Sequence, residues 1–138
     1  MSIPPAPTLL EARLVSFCDR LGHPTARFKL SSAPDSYVAL QSLAIGPADG
    51  ATLRSWPSIP GLHRLHYQCT DDKTVTMRRL LGMVRGSPLI EHLVLENIPS
   101  VIEATSTGTP ISLPHLRTLG LSGTSRTEIF LHLLESLA

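Results

Sequence analysis

The sequence is poor in several residue types, and each shortage excludes a class of protein. Only 17% of its 138 residues are charged, the net charge is +1, and the basic residues are spread along the chain. This distribution lacks the cationic patch of a nucleic-acid-binding protein, so we expect no nucleic-acid partner. The two cysteines, Cys18 and Cys69, fall on a predicted helix face and a predicted strand end, which is typical of buried thiols in a reducing compartment.

Targeting and membrane signals are also missing from the sequence. The first seven residues contain three prolines and no Lys or Arg, and therefore lack both the charged and the apolar region of a signal peptide. No apolar run approaches the length that spans a bilayer. We therefore expect an intracellular protein, cytoplasmic or nuclear, with no membrane partner.

Motifs that carry chemistry are absent from the chain as well. There is no Gly-x-Ser-x-Gly motif, no phosphate-binding glycine loop and no paired carboxylate spacing, and the eleven acidic residues are scattered. His63, His66 and Cys69 could ligate a metal by residue type, but on a strand the two histidines point to opposite faces. Cys18 is predicted to be a core thiol because no base is placed beside it. We expect no enzymatic activity, catalytic residue, metal, cofactor or small-molecule substrate.

What the sequence does contain is a repeated segment of the form Pro-x-Φ-x-x-Leu-x-Φ, where Φ is a large apolar residue. It occurs three times, at Pro60–Tyr67, Pro88–Leu95 and Pro114–Leu121. Successive copies start 28 and 26 residues apart, a period typical of leucine-rich repeats. A fourth copy without the proline, Leu40–Ile45, begins 22 residues before the first Φ of the Pro60 copy.

Each repeat is too short for a helix and its apolar residues alternate, which predicts a short strand. The first Φ has the other parity, so the proline two residues earlier is expected to bend the chain into the strand. We predict one parallel sheet, in chain order, from strands near residues 26–30, 42–45, 64–68, 92–96 and 118–122.

Helical periodicity is predicted between and outside the repeats. Residues 74–86 carry the stripe Met77, Leu80, Leu81 and Val84, ended by Gly86. Two further helices are predicted over residues 8–21 and 125–137, because each begins with a capping box, Thr8-x-x-Glu11 and Ser125-x-x-Glu128, and continues with apolar residues at helical spacing. The predicted fold is α/β: a single domain, residues 1–138, forming a short leucine-rich-repeat solenoid with the parallel sheet on one side and helices on the other.

The runs Met77–Ile98 and Leu113–Leu137 resemble the degenerate leucine-rich repeats in the C-terminal halves of fungal F-box-like proteins. In that family the F-box recruits the adaptor of a cullin-type ubiquitin ligase and the repeats bind the substrate. No segment of this chain resembles the F-box itself, so the resemblance implies substrate recognition but not adaptor binding. The position that holds Asn or Cys after the strand in the family is occupied one residue early here, by Cys69, Asn97 and Gly123.

The residues that alternate with the apolar positions are the candidate binding residues, since the sheet face of a solenoid is its concave binding surface. This set consists of Arg64, His66, Gln68, His92, Val94, Glu96, Thr118, Gly120 and Ser122, with Ser42 and Ala44 extending it. The sequence leaves open whether these side chains bind a partner or are simply solvated.

These observations leave three candidate functions. The favoured one is a protein–protein interaction module, the substrate-recognition part of a ubiquitin-ligase-like F-box protein. The alternative is a truncated repeat fragment with no independent activity. A small doubly wound enzyme is disfavoured, because no glycine-rich turn follows any predicted strand.

Overall fold

A computed structural model describes residues 2–15, 28–31, 33, 35–48, 52–53, 56–69, 77–97 and 112–123. In chain order its elements are β1 (Ser2–Ile3), β2 (Glu11–Val15), β3 (Lys29–Leu30), β4 (Ser42–Ala48), β5 (Arg64–Cys69), α1 (Met77–Arg85), β6 (His92–Glu96) and β7 (Thr118–Leu121). The predicted helix over 125–137 and the thiol of Cys18 lie outside the described residues.

Five of the strands form one sheet in the order β2-β4-β5-β6-β7, and every neighbouring pair is parallel. The strands predicted near 42–45, 64–68, 92–96 and 118–122 are β4 to β7, so this part of the prediction is confirmed. Helix α1 lies within the predicted range 74–86 and connects β5 to β6. The fold is α/β with a parallel sheet, as parallel strands require a crossover connection rather than a hairpin.

The helix predicted over residues 8–21 is wrong where the structure describes it, because Glu11–Val15 is the first strand of the sheet. It pairs with β4 from Glu11 opposite Ser42 to Val15 opposite Gly46. The spacing of Leu10 and Leu14 fits a helix, but a strand also places Ala12 and Leu14 together on one side. Pairing with β4 decides between the two patterns, because a short segment takes its structure from the tertiary contacts available to it.

The strand predicted at residues 26–30 exists only in part and lies in a different place. Lys29–Leu30 is a strand, but it pairs with Ser2–Ile3 in a separate two-stranded sheet. The position beside β4 that it was predicted to fill is occupied by β2. Phe28 and Leu30 are nevertheless buried, as their apolar character predicts, whereas residues 26 and 27 lie outside the described residues.

A tight turn precedes each strand of the main sheet. The N–H of Leu62 donates to the carbonyl of Ile59 at 3.2 Å, and equivalent turns close at Ile90 and Leu116. In these three turns the repeated proline is the second residue, where its fixed φ suits the geometry. The same turn closes at Leu9 before β2 and at Leu40 before β4. The turn marked by the proline therefore ends at the first Φ in each copy, and the bend predicted between the first Φ and the strand stays a prediction.

Backbone hydrogen bonds repeat with the same regularity at the start of each strand. The carbonyl of His63 accepts from the N–H of Glu91 at 2.7 Å and from the N–H of His92 at 3.0 Å. The carbonyls of Leu10, Gln41 and Glu91 each accept two N–H groups of the next strand in the same way. These shared carbonyls join one structural unit to the next and fix the register of the sheet.

The core lies on one side of the sheet, between the strands and α1. Two rows of strand side chains face it in register, one containing Leu43, Leu65 and Leu93 and the other Ile45, Tyr67 and Leu95. Helix α1 contributes three buried side chains, and the turns contribute three more; these are Leu80, Met83, Val84, Leu40, Leu62 and Ile90. No helix that the structure describes is long and apolar enough to cross a membrane.

Candidate interaction surface

The side of the sheet opposite the core is exposed to solvent, and we call it the outer face. Along β5 the exposure alternates strictly, with Leu65, Tyr67 and Cys69 buried and the residues between them exposed. Strand β6 alternates in the same sense between buried leucines and half-buried outer residues. The outer face therefore follows directly from the pleat, which sends successive side chains to opposite sides.

The structure places the predicted binding residues on this outer face and in register. One row runs Ser42, Arg64, His92, Thr118 and the next runs Ala44, His66, Val94, Gly120. Gln68 and Glu96 form a third pair. Ser122 follows β7 and is exposed, and its N–H donates to the carbonyl of Leu95 at 3.1 Å. All of the predicted residues are thus brought to one surface.

Sequence reasoning missed the part of this surface that β2 supplies. Glu11, Arg13 and Val15 are exposed, and their register with β4 extends the rows by one strand. The signal that could have found them is a further copy of the repeat, Pro7-Thr8-Leu9 followed by Ala12 and Leu14. It was concealed because alanine stands where the other copies have leucine.

Two polar contacts cross between neighbouring strands on the outer face. His66 Nε2 lies 2.9 Å from Glu96 Oε1, a diagonal pair between β5 and β6. His92 Nδ1 lies 2.6 Å from Thr118 Oγ1, a direct pair between β6 and β7. Each contact holds two side chains of the surface against one another, so β5, β6 and β7 present a partly ordered polar area.

A second polar group lies just before the strands, at the edge of the outer face. The carboxylate of Glu91 is 3.6 Å from His63 Nδ1 and 3.8 Å from Arg117 Nε. These distances exceed hydrogen-bond range but keep the negative charge of Glu91 beside one permanent cation. The carboxylate of Glu91 is therefore compensated within the protein.

The outer face has a groove along β4, because the outward residues of this strand are small. Its floor is Ser42 and Ala44, and it is bounded by the longer side chains of β2 and β5; Gly46, the next outward position, is buried against Gln68. A cavity of about 130 Å³ lies at one end, lined by residues that include Arg13, Val15, His66 and Gln68. An opening of about 580 Å³ lies at the other end, lined by residues that include Glu11, Ser42 and Arg64. We call this feature the β4 groove.

The residues considered as metal ligands or nucleophiles are kept apart by the sheet. His66 is exposed on the outer face, whereas Cys69 is buried on the core side. Burial raises the pKa of the Cys69 thiol to about 12, which keeps it protonated and unreactive at neutral pH. In the part of the chain that the structure describes, no three His, Cys, Asp or Glu side chains are grouped so that they could hold a metal ion.

Comparisons with protein-family models, with curated proteins and with solved structures gave no match to this chain.

Proposed function

We propose that the protein is an interaction module, a short leucine-rich-repeat solenoid whose outer face is the concave surface that binds a protein partner. The observation that carries the proposal is the register of five adjacent parallel strands, which stacks their outward residues into continuous rows. Surfaces built in this way from repeated units are extended and are used for binding other proteins. The partner would meet side chains from every strand of the sheet.

The chemistry of the outer face favours recognition by hydrogen bonds and charge. The outward residues of the described strands include arginine, histidine, glutamine and glutamate but no aromatic residue. Arg64 is exposed near the middle of the surface and offers five donors in a planar group, so it is the strongest single donor for a partner. Arginine is also enriched among the residues that dominate interface energies.

The finer assignment within this proposal is substrate recognition for a ubiquitin ligase, as in F-box-like proteins. Its support is the resemblance of Met77–Ile98 and Leu113–Leu137 to the repeats of that family. The partner would then be the protein to be modified. Ubiquitin transfer itself would be carried out by other proteins of such a complex, which agrees with the scattered acids and the protonated Cys69 of this chain.

Affinity capture with matched variants tests the proposal. Arg64→Ala combined with Glu96→Ala alters the outer face, while Arg85→Ala on α1 removes a cation from the other side of the sheet. We expect the outer-face variant to fold and to lose the partner that the wild type captures. We expect the Arg85 variant to retain that partner. Loss of the partner with Arg85→Ala and its retention by the outer-face variant would place the interface on the helix side and reject the proposal.

The exposure of β2 favours a second candidate, a fragment of a longer array. The residues of β2 are exposed or partly exposed, and Val15 and the preceding Leu10 have 57% and 58% of their surface accessible. In a repeat array such an edge would be covered by a neighbouring unit. Urea unfolding of the chain separates the candidates: a single cooperative transition supports an independent module, and a broad, non-cooperative loss of structure supports the fragment.

A further inference from the structure

We infer that a second copy of this chain docks edge to edge, with its β2 pairing in parallel with β7 of the first copy and extending the sheet. In the sheet that the structure describes, β2 and β7 are the two edge strands, and each pairs with another strand on one side only. The contact leaves the outer face uncovered. The inference therefore adds an interaction surface to the proposed function and does not depend on it.

The backbone groups at the two edges are complementary, because they are the two halves of a joint that the molecule already contains four times. At each joint between neighbouring strands, one carbonyl before a strand accepts the two N–H groups that open the next strand. The equivalent carbonyl at the β7 edge is that of Arg117, and the equivalent N–H groups at the β2 edge are those of Leu10 and Glu11. Within the described residues, the carbonyl of Arg117 and the N–H of Leu10 form no backbone hydrogen bond. Such open groups at a sheet edge are a template for a further strand.

The core-side residues of the two edge strands are partly exposed at positions that the inner strands bury. Leu93 on β6 is completely buried, whereas Leu119, its neighbour in the same row on β7, is partly exposed. Leu14 on β2 is also partly exposed. If the register of the sheet continues across the contact, Leu119 lies across from Ala12 of the second copy, and Leu121 lies across from Leu14. Both apolar rows then continue from one copy into the next.

Exposed apolar surface is concentrated on the β2 side of the described residues. Leu9, Leu10 and Val15 have 40%, 58% and 57% of their surface accessible. Removal of such surface from water is the main driving force of protein association. The continued register places Leu9 of the second copy beside Leu116, which closes the turn before β7 and is itself partly exposed. The β7 edge thus offers an apolar partner to the residue that closes the first turn.

The charges at the two edges are opposite. The side chain of Arg117 is 76% accessible, and its Nε lies 3.8 Å from Glu91. Glu11 is exposed on β2 and makes no ion pair with the described residues. The continued register places Glu11 of the second copy across from Thr118, the residue after Arg117. An exposed ion pair between Arg117 and Glu11 contributes little affinity, but it favours the pairing of these two unlike edges.

Disulfide cross-linking between two differently labelled cysteine variants tests the contact on the full chain. The background is Cys18→Ser, and Cys69 stays because its buried thiol is protonated. The in-register pairs are Glu11→Cys with Thr118→Cys and Val15→Cys with Ser122→Cys. Their Cα atoms would be about 4.8 Å apart, which is within disulfide range.

The crossed pairs, Glu11→Cys with Ser122→Cys and Val15→Cys with Thr118→Cys, are the matched control. They are displaced by four residues along the strand, or about 13 Å, which no disulfide spans. We expect cross-linked dimers from the in-register pairs only. Every variant occurs in one pair of each kind, so a difference between the pairs cannot come from the variants themselves. Cross-linking of the crossed pairs would show antiparallel docking, and cross-linking of Glu11→Cys with Val15→Cys would show that β2 pairs with β2. Either result would overturn the inference.

Sedimentation equilibrium of the unmodified chain measures the association itself. We expect the average mass to rise continuously with concentration, because a contact between unlike edges leaves one edge of each kind free. Arg117→Glu should raise the Kd about fivefold, which corresponds to about 1 kcal/mol, and the further change Glu11→Arg should restore it. A monomer at every concentration, a mass that stops at the dimer, or no restoration in the double variant would reject the docking of β2 on β7.

Discussion

The side-chain amide of Asn97 donates a hydrogen bond to the backbone carbonyl of Cys69, 3.1 Å away, across 28 positions of the sequence. Both residues follow or end a strand and lie in equivalent places in two successive units of the sheet. The bond ties the exit of β5 to the exit of β6, as the shared carbonyl of His63 ties their entrances. Asn97 also has a φ of 56°, a conformation that asparagine tolerates better than most residues.

Two substitutions of Asn97 should distinguish the contribution of its side-chain hydrogen bond from that of its positive φ. Asn97→Ala removes the hydrogen bond and places alanine at positive φ, so we expect the free energy of unfolding to fall by about 1–2 kcal/mol. Asn97→Gly removes only the bond and should cost less. Urea titrations of both variants measure the difference. Equal losses would mean that the backbone conformation contributes nothing.

The thiol of Cys69 should make stability decrease at high pH. Burial raises its pKa in the folded protein to about 12 from the usual value of 9.0, so between these pH values the unfolded chain releases a proton that the folded chain keeps. This contribution is fully present below pH 9 and is lost as the pH rises towards 12. Denaturation of the wild type and of Cys69→Ala at pH 8 and pH 10 should show a smaller loss for the variant.

The same burial predicts a slow reaction of Cys69 with thiol reagents. In a Cys18→Ser background, the folded protein should react with a disulfide reagent at pH 8 much more slowly than the urea-unfolded protein. Reaction at the unfolded rate would show that Cys69 is accessible and that its position on the core side of β5 is wrong.

The two faces of β6 should respond differently to truncation. Leu93 is completely buried between Leu65 and Leu119, so Leu93→Ala should reduce the free energy of unfolding by about 2–5 kcal/mol. His92 is the next residue but lies on the outer face, and His92→Ala should change stability by no more than about 0.5 kcal/mol. Similar losses in urea denaturation would contradict the assignment of faces.

The pair His66 and Glu96 should be weakly coupled, because both side chains are nearly half exposed. A double-mutant cycle with His66→Ala and Glu96→Ala should give a coupling energy below about 1 kcal/mol. The cycle measured in about 1 M NaCl should give a smaller value, because salt screens exposed charges. A coupling of several kcal/mol that is insensitive to salt would show that the pair is shielded from water.

The strands were predictable from the sequence where the repeat is complete. Proline marks the turn and the first Φ closes it, as Leu62 does before β5. The alternation that follows indicates which face each side chain takes, as Leu65 and Tyr67 show in β5. The predicted outer residues from Arg64 to Ser122 follow from that alternation alone. Helix α1 was predictable because Leu80 and Val84 share one face and Gly86 ends it.

The first strand was not predictable by the same signals, since Thr8 and Glu11 also have the spacing of a capping box. Local sequence supports both a helix and a strand there, and only the presence of β4 as a pairing partner selects the strand. Arg13 and Val15, which form one wall of the β4 groove, were missed for this reason. The pairing of Lys29–Leu30 with Ser2–Ile3 likewise depends on a contact between distant parts of the chain, which neither two-residue segment indicates by itself.

Because the shared carbonyls lie immediately before each strand, the geometry of the surface does not depend on the length of the connections. Register is set at Leu10, Gln41, His63 and Glu91, immediately before each strand, and the segments between them have 30, 21 and 27 intervening residues. A connection can therefore gain or lose residues while the outward side chains keep their alignment. Such a chain can diverge rapidly between its strands and still present the same pattern to a partner.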